Sequence, residues 1–197
     1  MNHSRLKKEY KDVQTEGKDP SGVTAALVNN DLFHWRGVIT GPDDTVYQGG
    51  VFYVDIKIPP NYPFEPPKMR FETKVWHPNV SSANGAICLD ILKDEWSPAL
   101  SMRTALMSLQ ALLCDPNPTD PQDAQVANQY LSNRQEFNAT AKYWTETYAA
   151  PPKARDDSAH IALLISMGFS EAQAQTALNR TEGKVEEAVN LLLSGNI

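Results

Sequence analysis

The sequence has few of the residues that build disulfides, metal centres or membrane spans. Only two of its 197 residues are cysteine and only four are histidine, and none of them has the spacing of a metal site. No apolar run approaches the roughly 20 residues of a membrane helix, and no signal-peptide pattern opens the chain. The net charge of -6 offers no basic surface for nucleic acid. We therefore expect no metal, cofactor, membrane or nucleic acid, and reduced thiols in the cytoplasm or nucleus.

The pattern of apolar residues divides the chain into two predicted domains. Residues 1–150 show strands first and helices afterwards, which is typical of an α+β domain with a four-stranded antiparallel sheet and helices on one side. Residues 151–157 are rich in proline and charge and have no apolar periodicity, so they are interpreted as a linker. Residues 158–197 contain three short helical patterns and predict a small three-helix bundle, with Ser170 and Gln173 as a capping pair at the start of its second helix.

Periodicity also predicts the individual elements of the larger domain. The pattern predicts a first helix over residues 4–16, strands over 23–28, 33–40, from 51 and over 69–73, and helices starting near 102, 120 and 134. Alternation in the third strand predicts that Val54 lies on its apolar face and Asp55 on the opposite face. Asp120 and Pro121 favour a helix start, with Asp120 as the N-cap. Cys114 closes an apolar helix and is interpreted as a structural thiol.

The most informative stretch runs from Trp76 to Pro98, where a thiol, a side-chain amide and turn residues occur together. A lone cysteine between aliphatic residues, as Cys88 is, more often belongs to a buried core. Here Asn79 lies nine residues upstream in a His-Pro-Asn turn. An amide held near an acylated thiol is suited to receive the negative charge that develops when the acyl group is attacked. The combination favours acyl transfer over a core thiol.

A papain-like thiol hydrolase is the competing catalytic hypothesis. That chemistry requires a histidine that activates the thiol and a third group that orients the histidine. His77 is the only histidine near Cys88 in the sequence, and no carboxylate or amide is evident to orient it. The hydrolase hypothesis is therefore disfavoured.

Several stretches, in order along the chain, resemble the catalytic domain of ubiquitin-conjugating enzymes. They are F-H-W (33–35), Y-Q-G-G (47–50), Y-P-F-E-P-P-K (62–68), H-P-N (77–79), G-A-I-C-L-D-I-L (85–92) and W-S-P-A-L (96–100). Residues 158–197 resemble a ubiquitin-associated domain, through M-G-F at 167–169 and A-V-N-L-L-L at 188–193. The combination resembles the subgroup whose members are associated with building ubiquitin chains.

The resemblance implies a role for each residue around the thiol. Cys88 would accept the C-terminus of ubiquitin as a thioester from the activating enzyme and pass it to lysine. Asn79 would either stabilise the oxyanion or hold the active-site loop in shape, and the sequence leaves both roles open. Asp120 matches the acidic residue that orients the incoming lysine. Residues with a possible supporting role are Asn117, Asp90 and His77, the last of which is structural in this family's turn.

The charge near the thiol is predominantly negative. The carboxylates that follow Cys88 in the sequence are Asp90, Asp94 and Glu95. Negative neighbours do not stabilise an anionic sulfur. The sequence therefore predicts a nucleophile that depends on the reactivity of the incoming thioester.

The resemblance also implies two surfaces that bind other proteins. One surface, formed by Arg5, Lys8, Phe64, Pro98 and Ala99, would bind both RING- or HECT-type ligases and the activating enzyme. Because the surface is shared, the two kinds of partner would bind in alternation. Ubiquitin would bind non-covalently to Met167, Gly168, Phe169, Leu192 and Leu193. A non-catalytic ubiquitin-binding scaffold is the alternative function, disfavoured because inactive relatives usually lack the cysteine. Linkage type, ligases and protein substrates are left open.

Overall fold

The computed structural model describes residues 3–14, 22–152, 156–181 and 183–195. The chain divides into two compact units, Met1–Pro151 and Pro152–Ile197. Within the described ranges, no helix has both the length and the apolar character needed to cross a bilayer.

The first unit is a sheet followed by helices. After α1 (His3–Val13) come β1 (Val23–Val28), β2 (Asp31–Thr40), β3 (Val51–Lys57) and β4 (Lys68–Phe71). The strands pair in the order 1-2-3-4 and every pair is antiparallel. A 3₁₀ turn (Asp90–Leu92) precedes α2 (Met102–Cys114), α3 (Ala124–Ser132) and α4 (Arg134–Tyr148). This architecture confirms the predicted α+β fold.

Alternation along β3 determines which side of the sheet faces the core. Phe52, Val54 and Ile56 are fully buried, and α2 buries its own apolar face with Leu106 and Leu109. Side chains on one face of a strand repeat every second residue, so the alternation read from the sequence locates this core correctly.

Asp55 differs from that alternation, since it was predicted on the opposite face of β3 and yet is only 7% exposed. His34 Nε2 lies 2.6 Å from its Oδ1, and Arg70 Nε donates to its Oδ2 at 3.2 Å. Burial raises the pKa of the Asp55 carboxyl, but the hydrogen bonds from His34 and Arg70 outweigh it and hold this pKa below its usual value. Neighbouring side chains therefore cover the carboxylate.

Glu9 of α1 is a buried carboxylate that joins three segments. Its side chain accepts hydrogen bonds from Arg5 Nε at 2.7 Å, from the Tyr62 hydroxyl at 2.7 Å and from the Met102 main-chain N–H at 2.8 Å. Met102 is the first residue of α2, where the main-chain N–H groups have no acceptor within the helix and, with the helix dipole, favour a negative charge. Glu9 thus ties α1 to the loop between β3 and β4, through Tyr62, and to the start of α2, through Met102.

The predicted helix start at Asp120 is wrong. α3 begins at Ala124, and its N-cap is Asp123, whose side chain accepts from the Val126 N–H. The main-chain N–H groups of Gln122 and Asp123 both donate to Pro78 O, at 2.9 and 3.0 Å. Because these donors bind another turn, the chain does not become helical at Pro121, and the Asp120 carboxylate is not used as a cap.

Other boundaries differ by a few residues. α1 ends at Val13, and residues 15 and 16 of its predicted range lie outside the described residues. β2 begins two residues earlier than predicted, and β4 ends two residues earlier. Cys114 does end α2, but its thiol is exposed, so the interpretation as a structural thiol is not supported.

The second unit is the predicted three-helix bundle. Its helices are α5 (Ser158–Ser166), α6 (Glu171–Arg180) and α7 (Val185–Leu193). Ser170 and Gln173 form the reciprocal capping pair at the start of α6. The core of this bundle consists of Leu164, Ala174, Ala177, Leu178, Ala188 and Leu192.

The last residue of the predicted linker directly precedes α5. Asp157, assigned to the linker, occupies the N-cap position of α5, and its carbonyl accepts from the Ile161 N–H. Residues 153–155 of the linker lie outside the described residues, so the linker stays a prediction.

Candidate functional site

Cys88 is positioned by main-chain pairing with the His-Pro-Asn turn. Val80 forms a bridge with Ile87, and the Cys88 N–H donates to Asn79 O at 2.9 Å. The chain turns back between them at Gly85, whose φ of 74° is in the left-handed region. A Cβ at Gly85 would lie 2.0 Å from Phe71 O, so only glycine fits this turn.

His77 is a structural residue of this turn. It is fully buried, its Nε2 lies 2.8 Å from Leu112 O, and the Asn79 N–H donates to its Nδ1 at 3.0 Å. Burial lowers the pKa of His77 to about 4, so the ring is neutral at pH 7, with Nε2–H donating and Nδ1 accepting. Both ring nitrogens are occupied, which leaves neither to activate Cys88.

The Asn79 side chain holds the loop that carries Asp120. Its Oδ1 accepts from the Asn117 N–H at 2.8 Å, and its Nδ2 donates to Asn117 O at 2.8 Å and to Asp120 O at 2.9 Å. Asn79 is only 2% exposed. An amide nitrogen has two hydrogens, and both are used. In this structure Asn79 therefore has the geometry of a loop anchor, the second of the two roles that the sequence left open.

The Asn117 side chain, on the surface, adds hydrogen bonds within the same loop. Its exposed side-chain Oδ1 accepts from the Thr119 N–H and, at 2.6 Å, from the Thr119 hydroxyl. Asn117 is therefore a loop residue, and its supporting role in catalysis stays a prediction.

The Cys88 thiol lies between two opposite charges. It is partly exposed, and its Sγ donates to Asp120 Oδ2 at 3.4 Å. Lys93 Nζ donates to the same sulfur at 3.3 Å. The structure brings Cys88 and Asp120 together, as the family resemblance implied, although they are 32 positions apart in the sequence. The partial exposure rules out a core thiol.

Sequence reasoning missed Lys93. The 3₁₀ turn of Asp90–Leu92 turns the chain so that the side chain five residues after the cysteine reaches the sulfur. No periodic apolar pattern marks so short an element. The signal that was available is a single lysine close to Cys88 among carboxylates.

Asp90 forms the turn instead of facing the thiol. Its Oδ1 accepts from the Ile91 N–H at 2.7 Å, and its main-chain oxygen accepts from the N–H groups of Lys93 and Glu95. Among the hydrogen bonds of the described residues, neither Asp90 nor His77 has one to the Cys88 sulfur. Both of these supporting candidates are thus local structural residues.

Three of the five predicted ligase-contact residues line one surface cleft of about 640 Å³, namely Arg5, Phe64 and Pro98. Phe64 is 81% exposed, a large apolar side chain with little to cover it. Lys8 and Ala99 are exposed but do not line this cleft. Arg5 also donates to Leu100 O and to Glu9, so its guanidinium helps to hold the walls together.

The predicted ubiquitin-binding residues of the small unit divide into surface and core. Met167 and Leu193 are exposed by 50% and 72%. Gly168 has a φ of 99° and ends α5, and Phe169 packs partly against the core. Leu192 is buried in that core. Its prediction as a surface contact is therefore wrong, because the helical rotation of about 100° per residue exposes Leu193 instead.

Comparison with known proteins gives consistent matches along the chain. A family model described as "Ubiquitin-conjugating enzyme" matches residues 5–145, and one described as "UBA-like domain" matches residues 157–195. Ubiquitin-conjugating enzyme E2 27 of Arabidopsis thaliana is 49% identical over 194 residues, covering 98% of this chain and 99% of that protein. Ubiquitin-conjugating enzyme E2 K of Homo sapiens is 48% identical over 192 residues, covering 96% of each.

A solved structure matches the first unit. The E2 domain of a Toxoplasma gondii ubiquitin conjugating enzyme is similar to this chain with a TM-score of 0.71 and 58% identity. The match covers 76% of this chain and 99% of that domain.

Proposed function

Because this chain belongs to the ubiquitin-conjugating enzymes, transferases that work through a cysteine thioester, we propose that Cys88 carries ubiquitin and passes it to a lysine amine. The observation that carries this assignment is the partly exposed Cys88 thiol, in contact with the Asp120 carboxylate on a loop anchored by Asn79. Cys114 is exposed, but its Sγ contacts only Gln110 O of its own helix among the hydrogen bonds described. Cys88 is the thiol with a carboxylate beside it.

The reaction has two acyl transfers. In the first, the Cys88 sulfur attacks the thioester that the activating enzyme presents, and the activating enzyme's thiolate leaves. In the second, a lysine amine attacks the Cys88 thioester, the C–S bond breaks, and an isopeptide bond forms. The amine must lose a proton, and the Asp120 carboxylate beside the sulfur is placed to align the amine and accept that proton.

The carboxylate alone does not make the amine a nucleophile. An opposite charge raises the pKa of a lysine, so the neutral amine must come from desolvation as the substrate enters the groove. We propose that Asp120 aligns the lysine and that the closing substrate excludes water. Asn79 contributes by fixing the loop that positions Asp120.

Charging of the purified protein tests this assignment. Incubation with activating enzyme, ATP and ubiquitin is expected to add the mass of one ubiquitin, removable by a thiol reductant, with the adduct on the Cys88 peptide. Cys114→Ser is the matched control and is expected to charge like the unmodified chain. No adduct, or one located on Cys114, would contradict the proposal and leave the non-catalytic scaffold as the better hypothesis.

The cleft beside Phe64 supports a shared docking surface for the activating enzyme and for RING- or HECT-type ligases. An exposed aromatic side chain beside a basic helix is suited to bind a partner with an apolar pocket and acidic rim. Because one surface serves both, charging and ligase-assisted discharge would alternate.

We further propose that the small unit holds a second ubiquitin during chain building. The exposed apolar residues Met167 and Leu193 would contact it, and the tether to the catalytic unit would raise its local concentration. The double variant Met167→Ala, Leu193→Ala is expected to slow chain assembly at low ubiquitin by about tenfold. Loading of Cys88 is expected to be unchanged.

The matched control is Leu131→Ala, which removes a 66% exposed leucine from α3. Rates of di-ubiquitin formation and of thioester loading would be measured side by side. Equal rates of di-ubiquitin formation in the double variant and in the control would contradict the proposed role of the small unit.

A further inference from the structure

Two side chains of opposite charge flank the reacting sulfur, and the mechanism above uses only one of them. Asp120 accepts the thiol hydrogen bond at 3.4 Å, whereas Lys93 Nζ donates to the sulfur at 3.3 Å. A carboxylate suits the neutral thiol, since the S–H is a donor. An ammonium suits the thiolate, since the sulfur is then an anion and an acceptor.

Both acyl transfers pass through an anionic Cys88 sulfur. In charging, the thiolate is the nucleophile. In transfer to lysine, the tetrahedral intermediate collapses, the C–S electron pair stays on sulfur, and a thiolate is the leaving group. The other charged side chains of this segment are carboxylates that stand exposed to solvent, namely Asp90, Asp94 and Glu95. Lys93 is therefore the positive charge that this segment brings to the sulfur.

We propose that Lys93 is a catalytic residue whose ammonium stabilises the Cys88 thiolate, as nucleophile in charging and as leaving group in transfer to lysine. This role rests on the proposed function, since it concerns the same sulfur. Lys93 keeps its proton throughout: it donates a hydrogen bond to sulfur, while the proton of the attacking amine goes to Asp120 or to water.

The position of Lys93 fits such a role. Its main-chain N–H donates to Asp90 O at 2.8 Å, which closes the 3₁₀ turn and fixes the start of the side chain. The ammonium is exposed, so its charge is screened and its effect on the sulfur is modest, about fivefold in the rate of reactions at the sulfur.

Alkylation of Cys88 by iodoacetamide measures the thiolate directly and requires no ubiquitin. In a Cys114→Ser background, Lys93→Gln is expected to slow alkylation at pH 7.5 about fivefold, and the difference from the parent is expected to shrink at high pH. Lys93→Arg retains the charge and is expected to alkylate within about twofold of the parent. Lys142→Gln, on the exposed side of α4, is the charge-matched control and is expected to leave the profile unchanged.

Single-turnover discharge to free lysine tests the leaving-group step. Lys93→Gln is expected to discharge several-fold more slowly, and Lys93→Arg to restore the rate. The proposal is overturned if Lys93→Gln is alkylated as fast as the parent, or if Lys93→Arg is as slow as Lys93→Gln. It is also overturned if the substitutions that slow alkylation leave the rate of discharge unchanged. A reductant-resistant ubiquitin on Lys93 would also overturn it, because Lys93 would then be an acceptor amine.

The two assays separate the two hypotheses. If the chain never accepts ubiquitin, the proposed function fails, while the alkylation profile still reports whether Lys93 stabilises the thiolate. If charging succeeds and alkylation is insensitive to Lys93, only the role of Lys93 fails.

Discussion

Replacing Asn79 by alanine is expected to slow transfer of ubiquitin to lysine about 100-fold, while loading of Cys88 stays within about threefold. The variant removes all three side-chain hydrogen bonds that hold Asn117 and Asp120. A carboxylate misplaced by about 1 Å loses roughly 100-fold in rate, because alignment of the amine depends on its position. Loading needs the sulfur but not the aligned amine. Single-turnover loading and discharge rates would be measured separately.

A double-variant cycle with Asp120→Ala distinguishes a loop anchor from an oxyanion donor. If Asn79 acts by positioning Asp120, the double variant is expected to be no more than about threefold slower than Asp120→Ala alone. If Asn79 bound the oxyanion directly, the two losses would multiply. Asn138→Ala, at an exposed asparagine of α4, is the control and is expected to keep the parent's rates. Equal losses of loading and transfer in Asn79→Ala would contradict the anchor role.

Replacing Glu9 by alanine is expected to lower the free energy of unfolding of the catalytic unit by about 3 kcal/mol. The substitution leaves the Tyr62 hydroxyl and the Met102 N–H without their acceptor and leaves Arg5 without its carboxylate. Removing one partner from a buried charged network costs about 3–5 kcal/mol, and the partial exposure of Arg5 places this case at the low end. The melting temperature should fall by roughly 6–12 °C.

Tryptophan fluorescence isolates this unit in the full-length chain. All four tryptophans, at positions 35, 76, 96 and 144, lie in the first unit. Glu146→Ala removes an exposed i,i+4 pair of α4 and is expected to change stability by less than about 0.5 kcal/mol. Glu9→Gln keeps an acceptor oxygen, so its stability is expected to lie between those of Glu9→Ala and Glu146→Ala. A Glu9→Ala protein as stable as Glu146→Ala would contradict the role assigned to this network.

The parts of the fold that periodicity determines were predictable. Alternation along β3 and the apolar face of α2 located the core correctly, because burial repeats every two residues in a strand and every 3.6 in a helix. The capping pair of Ser170 and Gln173 also marked a real helix start. These signals are local, and the sequence contains them.

The parts of the structure that depend on distant hydrogen-bond partners, or on a short irregular turn, were not predictable from the sequence. Asp120 has the local chemistry of an N-cap, but Pro78 O binds the following N–H groups and moves the helix start to Ala124. Lys93 reaches the sulfur only because of a 3₁₀ turn, and Glu9 is buried only because Tyr62 and Met102 approach it. The positions of Asp120 and Glu9 are decided by partners far away in the sequence, whereas that of Lys93 is decided by a turn too short to leave a periodic signal.

Asn79 determines the positions of both the Asp120 carboxylate and the Cys88 nucleophile. The main-chain oxygen of Asn79 accepts a hydrogen bond from the Cys88 N–H, and its side-chain Nδ2 donates to the main-chain oxygen of Asp120. Thermal displacement of this one residue therefore carries sulfur and carboxylate in the same direction. Their separation should fluctuate less than either atom's absolute position, so the enzyme keeps its reacting distance even when the surrounding surface shifts to receive a partner.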